Sequence, residues 1–509
     1  MPSQAVATRP HVVVVGGGVA GLSAALEVLD ALPSARVSVL EGSDRFGGKL
    51  RLEPVAGHLV DVGAESLLAL RPEATDLVRR VGAGGDLVAP ATTSASVWSR
   101  GALTPMPRAT LMGVPTDPDS ARGLLTDDEL ARLRSEQPWP GGAVTADVAV
   151  GEYVGARLGR AVVDRLVEPL LGGVYAGHAS RLSLQATMPV LWERATRGAS
   201  LVSPPGPGTT PEAAATASDG VPASDRVRAS DGGAASGVAI PRPVFAGLRG
   251  GVGRLPGLLA DELGRRGATL RLRAVVRGLE RSASGWRLVI GSAASPEVVE
   301  ADAVLLCVPS APAARLLADH APAAAAVLAG VDTASTAVVT LAVERAGLGE
   351  LPGSGFLVPP VEGRTIKAST FSANKWAWTG ALSDDVVHLR ASVGRAREEA
   401  VLQRDDADLV AISVAEVGAA LERPLTRVVD AHVQRWGGGL PQYAVGHVAA
   451  VAAVRADVAR LPGVEVAGAT YDGVGVPAVV ASARRAARSA VAHLQSLSTT
   501  STPRGEHPA

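Results

Sequence analysis

Cysteine is almost absent: Cys307 is the only one in 509 residues. No intramolecular disulfide can form, which points to a reducing compartment. The apolar run ADAVLLCVPS around it predicts a buried strand, where a thiol behaves as a small hydrophobe rather than a nucleophile. An excess of either charge is missing too. With 49 basic against 50 acidic residues the formal net charge is -1, so no global field draws the chain to nucleic acid or to an anionic membrane. No uncharged apolar run reaches the roughly 18 residues of a spanning helix. The opening MPSQAVATRPHVVVV lacks the charged segment, long apolar core and cleavage site of a secretory signal. These absences predict a cytoplasmic protein with no transmembrane segment and no nucleic-acid partner, peripheral contact with a membrane staying open. Also missing are a Ser/His/Asp or Cys/His constellation and any metal-ligand spacing such as HxxxH. The isolated histidines His58, His178 and His447 read as structural.

What is present begins with glycine. The string VVVVGGGVAGLSAAL puts Gly16, Gly17, Gly18, Val19, Ala20 and Gly21 between a β-branched strand, Val12 to Val15, and a run of helical apolar spacing, Leu22 to Leu32. A bare GxGxxG is weak; this one sits in a βαβ unit whose second strand is Arg36 to Leu40. Its first glycine permits the tight turn, its second lets backbone amides approach a pyrophosphate, and its third lets helix pack on strand. The helix N-terminus then faces the phosphate charge. Glu41 and Gly42 end the second strand, where a carboxylate can accept from both ribose hydroxyls and would repel a 2'-phosphate. Next comes Arg45-Phe46-Gly47-Gly48-Lys49, a second glycine turn between cations, which NAD-only dehydrogenases do not need.

The chain is long enough for two or three domains. Order of helix and strand patterns predicts a discontinuous nucleotide domain, 8–72, 244–312 and 436–497. A second domain of different sheet pattern covers 73–110 and 313–435, with strands at Thr336 to Val343 and Val386 to Val393. Residues 111–197 read as mainly helical. Residues 198–243 are poor in apolar bulk and rich in Pro, Gly, Ser, Thr and Ala, the composition of a disordered insertion. A flexible tail is expected over 498–509.

The second glycine turn resembles that of FAD enzymes of the amine oxidase and protoporphyrinogen oxidase superfamily. Further strings resemble one branch of it, the bacterial protoporphyrinogen/coproporphyrinogen oxidases: DVGAESLLALRPEATDLVRRVG, LTPMPRATLMGVPT, VEPLLGGVYAGHASRLSL, STFSANKWAW, LPQYAVGH and GATYDGVGVP. They span most of the chain outside the insertion. The resemblance implies an α/β protein: a Rossmann-like FAD-binding domain with a mixed-sheet substrate domain and a helical subdomain, holding FAD non-covalently. It implies that Arg45, Gly48 and Lys49 help hold the diphosphate, that Gly63, Ala64, Glu65 and Ser66 lie against the flavin, that Val276 pairs its backbone with the adenine, and that Trp436 lies near the cofactor. Gly473, Val474, Gly475 and Val476 precede Pro477 at a helix start, where amides and the helix dipole could stabilise negative charge on a reduced flavin. Arg71 matches a basic position thought to meet substrate carboxylates, Val174 should line the substrate cavity, and Lys375 is a candidate substrate contact. Ala95 stands where plant and animal members place a carboxylate-binding arginine, so that anchor does not carry over.

The activity implied is oxidation of coproporphyrinogen III to coproporphyrin III in haem biosynthesis, with oxygen as acceptor and peroxide as product, and a hand-off to ferrochelatase is compatible with it. Such chemistry needs no strong base, because a methylene flanked by two pyrroles loses a hydride to give a delocalised cation; orientation and charge stabilisation suffice. The alternatives are protoporphyrinogen IX as substrate, an amine oxidase, for which only Tyr471 offers an aromatic near the terminal motif, and a non-catalytic porphyrin carrier.

Overall fold

The β-branched run His11–Val15 forms the central strand of a five-stranded parallel sheet and is buried throughout. A computed structural model describes residues 9–108, 110–202 and 243–500. Across that sheet the strands run Thr269–Arg271, Arg36–Leu40, His11–Val15, Ala303–Leu306 and Val464–Val466. Numbered by sequence this is the 3-2-1-4-5 order of a doubly wound nucleotide fold. Its elements come from three distant stretches of chain. Helices Val19–Ala31 and Val476–Thr500 pack together on one face, through Leu22, Leu26, Val480 and Ala487. An antiparallel three-stranded layer, Val276–Arg281, Trp286–Ser292 and Ser295–Ala301, with helices Ser310–Leu317 and Pro322–Ala329, covers the other.

A seven-stranded sheet forms the second body, in the order Val428–Pro441, Thr333–Glu344, Val386–Val393, Ile366–Thr370, Gly355–Leu357, Ser96–Ser99, Ala102–Pro105. One face, with Val339, Leu341, Leu389, Ala391 and Phe356, is buried against helix Asp406–Ala420. Helices between Asp127 and Thr196 build a third core around Tyr153, Leu166 and Leu171. No helix among the described residues is long and apolar enough to cross a membrane.

Several expected boundaries move. Helix Pro72–Arg80 buries Ala74, Leu77 and Val78 in the nucleotide core, so residues from 73 through Ala83 pack there and not with the second sheet. Residues 313–328 also pack on the nucleotide side. The strand Val428–Pro441 runs through the expected border at 436 and carries Trp436 on the seven-stranded sheet. The start of the expected insertion is ordered: Leu201 is fully buried in the helical core, and its amide donates to Glu136 Oε1 at 2.9 Å. The remainder of that insertion, 203–242, lies outside the described residues, as do 501–509 of the expected tail. The C-terminal helix itself continues to Thr500.

Candidate functional site: a dinucleotide cradle and an open sheet face

Three glycines of the fingerprint do three different jobs. Gly16 has φ +105°, and a Cβ there would lie 2.5 Å from the Cys307 carbonyl oxygen; one on Gly21 would lie 1.8 Å from that of Gly16. Both are demanded by the fold. Gly18 differs: its φ is -73°, and the nearest atom to an added Cβ is Gly48 Cα at 3.9 Å. The missing side chain therefore leaves a gap before helix Val19–Ala31, whose N-cap is this glycine and has no side-chain cap. First-turn amides and the positive end of the helix dipole face that gap, which fits a diphosphate.

The second glycine turn closes the other side, for Gly47 N–H donates to Gly17 O at 2.9 Å and the two runs bridge at Gly18 and Gly47. Arg45 braces this turn by donating to the carbonyls of Gly48 at 2.5 Å and of Phe46 and Leu50 at 3.3 Å, with its guanidinium 6.0 Å over the Trp436 ring. Lys49 has an open surface although protein surrounds it on most sides, as for a side chain lining a deep cleft, and that desolvation lowers its pKa. Glu41 accepts from Gly17 N–H at 2.6 Å and Ser43 N–H at 2.8 Å, one per carboxylate oxygen. Each oxygen keeps a further lone pair for a ribose hydroxyl. Gly42 lets Val275 approach, an added Cβ meeting its Cγ2 at 3.3 Å, so Val276 follows directly at the Glu41 end of the cradle.

At the other end of the cradle, Gly63 is pressed between backbone and ring: a Cβ there would lie 2.0 Å from Lys49 O and 3.3 Å from Trp436 Cζ2. Trp436 Nε1 donates to Val62 O at 3.2 Å. Ala64 is exposed although it lies between two domains, which marks it as cleft lining. Glu65 is the hub of a buried network. It pairs with Lys375 at 2.9 Å and Arg390 at 2.8 Å and accepts from Ser372 Oγ at 2.9 Å, while Lys375 also donates to Ser66 Oγ at 2.8 Å and Arg390 to Gly63 O at 2.5 Å. Burial would raise the Glu65 pKa; Lys375 and then Arg390 more than offset it and hold the carboxyl down at about 2. Behind Gly473, at φ +136°, helix Val476–Thr500 begins with Gly475 O accepting from Val479 N–H, leaving the earlier amides facing the cleft.

The cofactor-side residues expected from the sequence thus converge. Two residues expected on the substrate side are engaged within the protein. Lys375 is 20% exposed and pairs with Glu65 and Ser66, bracing the stretch Gly63 to Ser66 as a shelf. Arg71 is 7% exposed and ion-paired with Glu73 at 2.7 Å, because it starts a helix that packs into the nucleotide core; its charge is already met. Arg390, which organises the shelf, was not singled out. The signal was a lone arginine inside the apolar strand VVHLRASV, a position that a strand core tolerates only with a partner.

Register shows where a large ligand can lie. Val338 pairs with Ser392, Ser392 with Ala368, and Ala368 with Leu357, so the four share one face; all are half-buried, and Trp436 stands on the same side. Helix Glu168–Tyr175 overhangs this face, an added Cβ on Gly173 meeting Leu357 Cδ2 at 3.6 Å, and it leaves Val174 42% exposed. No group of histidine, cysteine or carboxylate side chains among the described residues could hold a metal. Burial pushes the Cys307 thiol up to about 12 and His447, stacked at 4.2 Å on Tyr443, down to about 4, so neither is a nucleophile or base near neutrality. Tyr471 is buried under the nucleotide sheet and forms no cage at the cleft.

Comparison with known proteins agrees with this arrangement. Coproporphyrinogen III oxidase of Mycobacterium tuberculosis is 36% identical over 484 residues, which cover 94% of this chain and 96% of that protein. A solved chain from Exiguobacterium sp. 255-15, assigned as a protoporphyrinogen oxidase, superposes with a TM-score of 0.78 at 30% identity, covering 96% and 99% of the two chains. Putrescine oxidase, at 16% identity and a TM-score of 0.63 over 95% and 99%, shares the fold. The sequence pattern of flavin containing amine oxidoreductases matches residues 19–491, and the chain, an oxidoreductase with a flavin site, belongs to that family.

Proposed function

We propose that this protein binds FAD non-covalently and oxidises coproporphyrinogen III to coproporphyrin III, with molecular oxygen as electron acceptor and hydrogen peroxide as product. The observation that carries this reading is the likeness to coproporphyrinogen III oxidases over nearly the whole of both chains. Bound FAD would supply a ring able to take a hydride. The chain's own residues bind and orient. Gly18 and the N-terminus of helix Val19–Ala31 accommodate the diphosphate, Lys49 adds positive charge, and Glu41 takes the ribose. The backbone of Gly63 to Ser66, held by Arg390 and Lys375, carries the ring system. Amides at Gly475 and Val476 and the dipole behind them favour negative charge there.

Val338, Ala368, Leu357 and Val174 offer an apolar surface on which a large macrocycle can lie against the ring. Because the departing hydride leaves a cation stabilised by two pyrroles, no side chain has to remove a carbon-bound proton, and the pyrrole N–H proton can leave to water. This accounts for a cleft in which, among the described residues, no histidine or carboxylate is poised as base. Among the described residues no tyrosine cage stands at the cleft, which tells against amine substrates.

The test is turnover of coproporphyrinogen III and protoporphyrinogen IX in air, read by porphyrin fluorescence and peroxide. Anaerobic mixing with the preferred porphyrinogen should bleach the yellow flavin. Bleaching by amines, and by neither porphyrinogen, would overturn the proposal; binding of porphyrin without bleaching would make the protein a carrier.

A further inference from the structure

One lysine is buried without an anion. Lys367, on the strand Ile366–Thr370, is 3% exposed, and among the described residues no carboxylate is among the charges acting on it. The charge that acts on it is another cation, the guanidinium of Arg395; burial first and this neighbour second lower its pKa to about 7. Arg395 is itself buried, with one bond from Nη2 to Val358 O at 2.8 Å and an Nε that has no partner. Glu168 is the buried carboxylate in reach of Arg395; its Oε1 takes the Ala179 N–H at 2.9 Å, its Oε2 has no partner, and burial raises its pKa. Glu398 and then Glu168 act on Arg395, whereas no carboxylate is among the charges acting on Lys367, so the lysine is the buried cation left without an anion of its own. Isolated buried charge is costly and is normally paired, so a lysine left without an anion beside a second cation points to one supplied from outside.

The location agrees. Ala368, next in the chain, lies on the open face of the seven-stranded sheet, and a bulge between Ile366 and Ala368 re-aims the intervening Lys367. Glu416, on the helix covering the opposite face, accepts the Thr365 and Ile366 amides at 3.0 and 2.8 Å but is not among the charges acting on Lys367. Arg395, which is, leads into Ala396, whose amide donates to Ala176 O at 2.7 Å, at the end of the overhanging helix Glu168–Tyr175. Through Arg395, Lys367 is thus linked to the end of the helix that overhangs the open face and carries the exposed Val174.

We propose that Lys367 and Arg395 form a carboxylate subsite at the edge of the substrate cleft, which takes one propionate of the macrocycle and sets it over the apolar sheet face. The proposal rests on the porphyrinogen reading and deepens it by naming the contacts that recognise the acid side chain.

The experiment compares wild type with Lys367→Met and Lys367→Arg, each as holoenzyme with flavin content checked. Readouts are the KM and kcat for coproporphyrinogen III, and the Kd of coproporphyrin III and of its tetramethyl ester from quenching of porphyrin fluorescence. Losing one charge-assisted hydrogen bond in a desolvated site should raise KM and the Kd of the acid about tenfold to a hundredfold. Turnover number and affinity for the ester should change little, and Lys367→Arg should restore most of the affinity. The Met variant should unfold at an equal or higher urea concentration, because an unpaired buried charge has gone. An unchanged Kd for the acid in Lys367→Met, or an equal loss for acid and ester, overturns the subsite alone. Wild-type protein that binds neither ligand overturns the porphyrinogen reading and the subsite with it.

Discussion

Gly18→Val is expected to give folded, colourless protein. Its backbone dihedral is one that any residue adopts, and an added Cβ has no neighbour closer than Gly48 Cα at 3.9 Å, so the fold has room for the side chain. The room is that of the diphosphate. A valine there places methyl groups where phosphate oxygens would have to approach the first-turn amides, and flavin retention should be lost almost completely. Gly21→Val supplies the contrast, for its Cβ would lie 1.8 Å from the Gly16 carbonyl oxygen and should cost the fold itself. Visible absorbance at constant protein, together with circular dichroism, separates the two. Gly18→Val purified with normal flavin content would remove the basis of the cofactor assignment.

The second large effect is expected at Glu65. Glu65→Gln keeps the shape and removes the charge that Lys375 and Arg390 share, leaving two cations buried at the cofactor shelf. Breaking a buried ion pair by removing one partner costs roughly 3 to 5 kcal/mol. Flavin should also be held more weakly, since Arg390 donates to the Gly63 carbonyl and Lys375 to Ser66 within the stretch proposed to carry the ring. Adding Lys375→Met to Glu65→Gln should recover part of the loss, because one unpaired cation goes with it. Urea unfolding and flavin dissociation are the measurements; an effect under 1 kcal/mol would mean that water reaches the network. The same carboxyl gives a pH signature. Its folded pKa, about 2, lies below its ordinary 4.5, so its stabilisation is fully present above about 4.5 and is lost as pH falls toward 2. That shift corresponds to something on the order of 3 kcal/mol, and the acid limb of the stability curve should flatten in Glu65→Gln.

The nucleotide half was legible because its signals are local. Strand Arg36–Leu40 begins and ends where its apolar pattern does, and the fingerprint needs only a turn between a strand and a helix to define its chemistry. Boundaries between domains were less legible. Helix Pro72–Arg80 follows a loop and precedes strands of another sheet, and only its apolar stripe, which could face either body, says where it packs. The same ambiguity hid the order of Gly198 to Val202, where one leucine within a polar, proline-rich stretch is anchored by a glutamate some 65 residues earlier.

Charged residues were the hardest to read. Arg71 and Lys375 looked like cations offered to a substrate, whereas Arg390, Arg395 and Lys367 attracted no notice. A charge's role depends on its counter-ion, and here the counter-ions come from far along the chain: Glu65 meets partners 310 and 325 positions away. By itself the sequence determined the dinucleotide cradle, the parallel sheet that presents it and the kinship with flavin oxidases, since glycine spacing, strand periodicity and string likeness are properties of contiguous residues. Tertiary structure alone decided which cations are neutralised inside the protein and which are left without a carboxylate. Pairing, burial and desolvation are set by residues that meet only after the chain has folded.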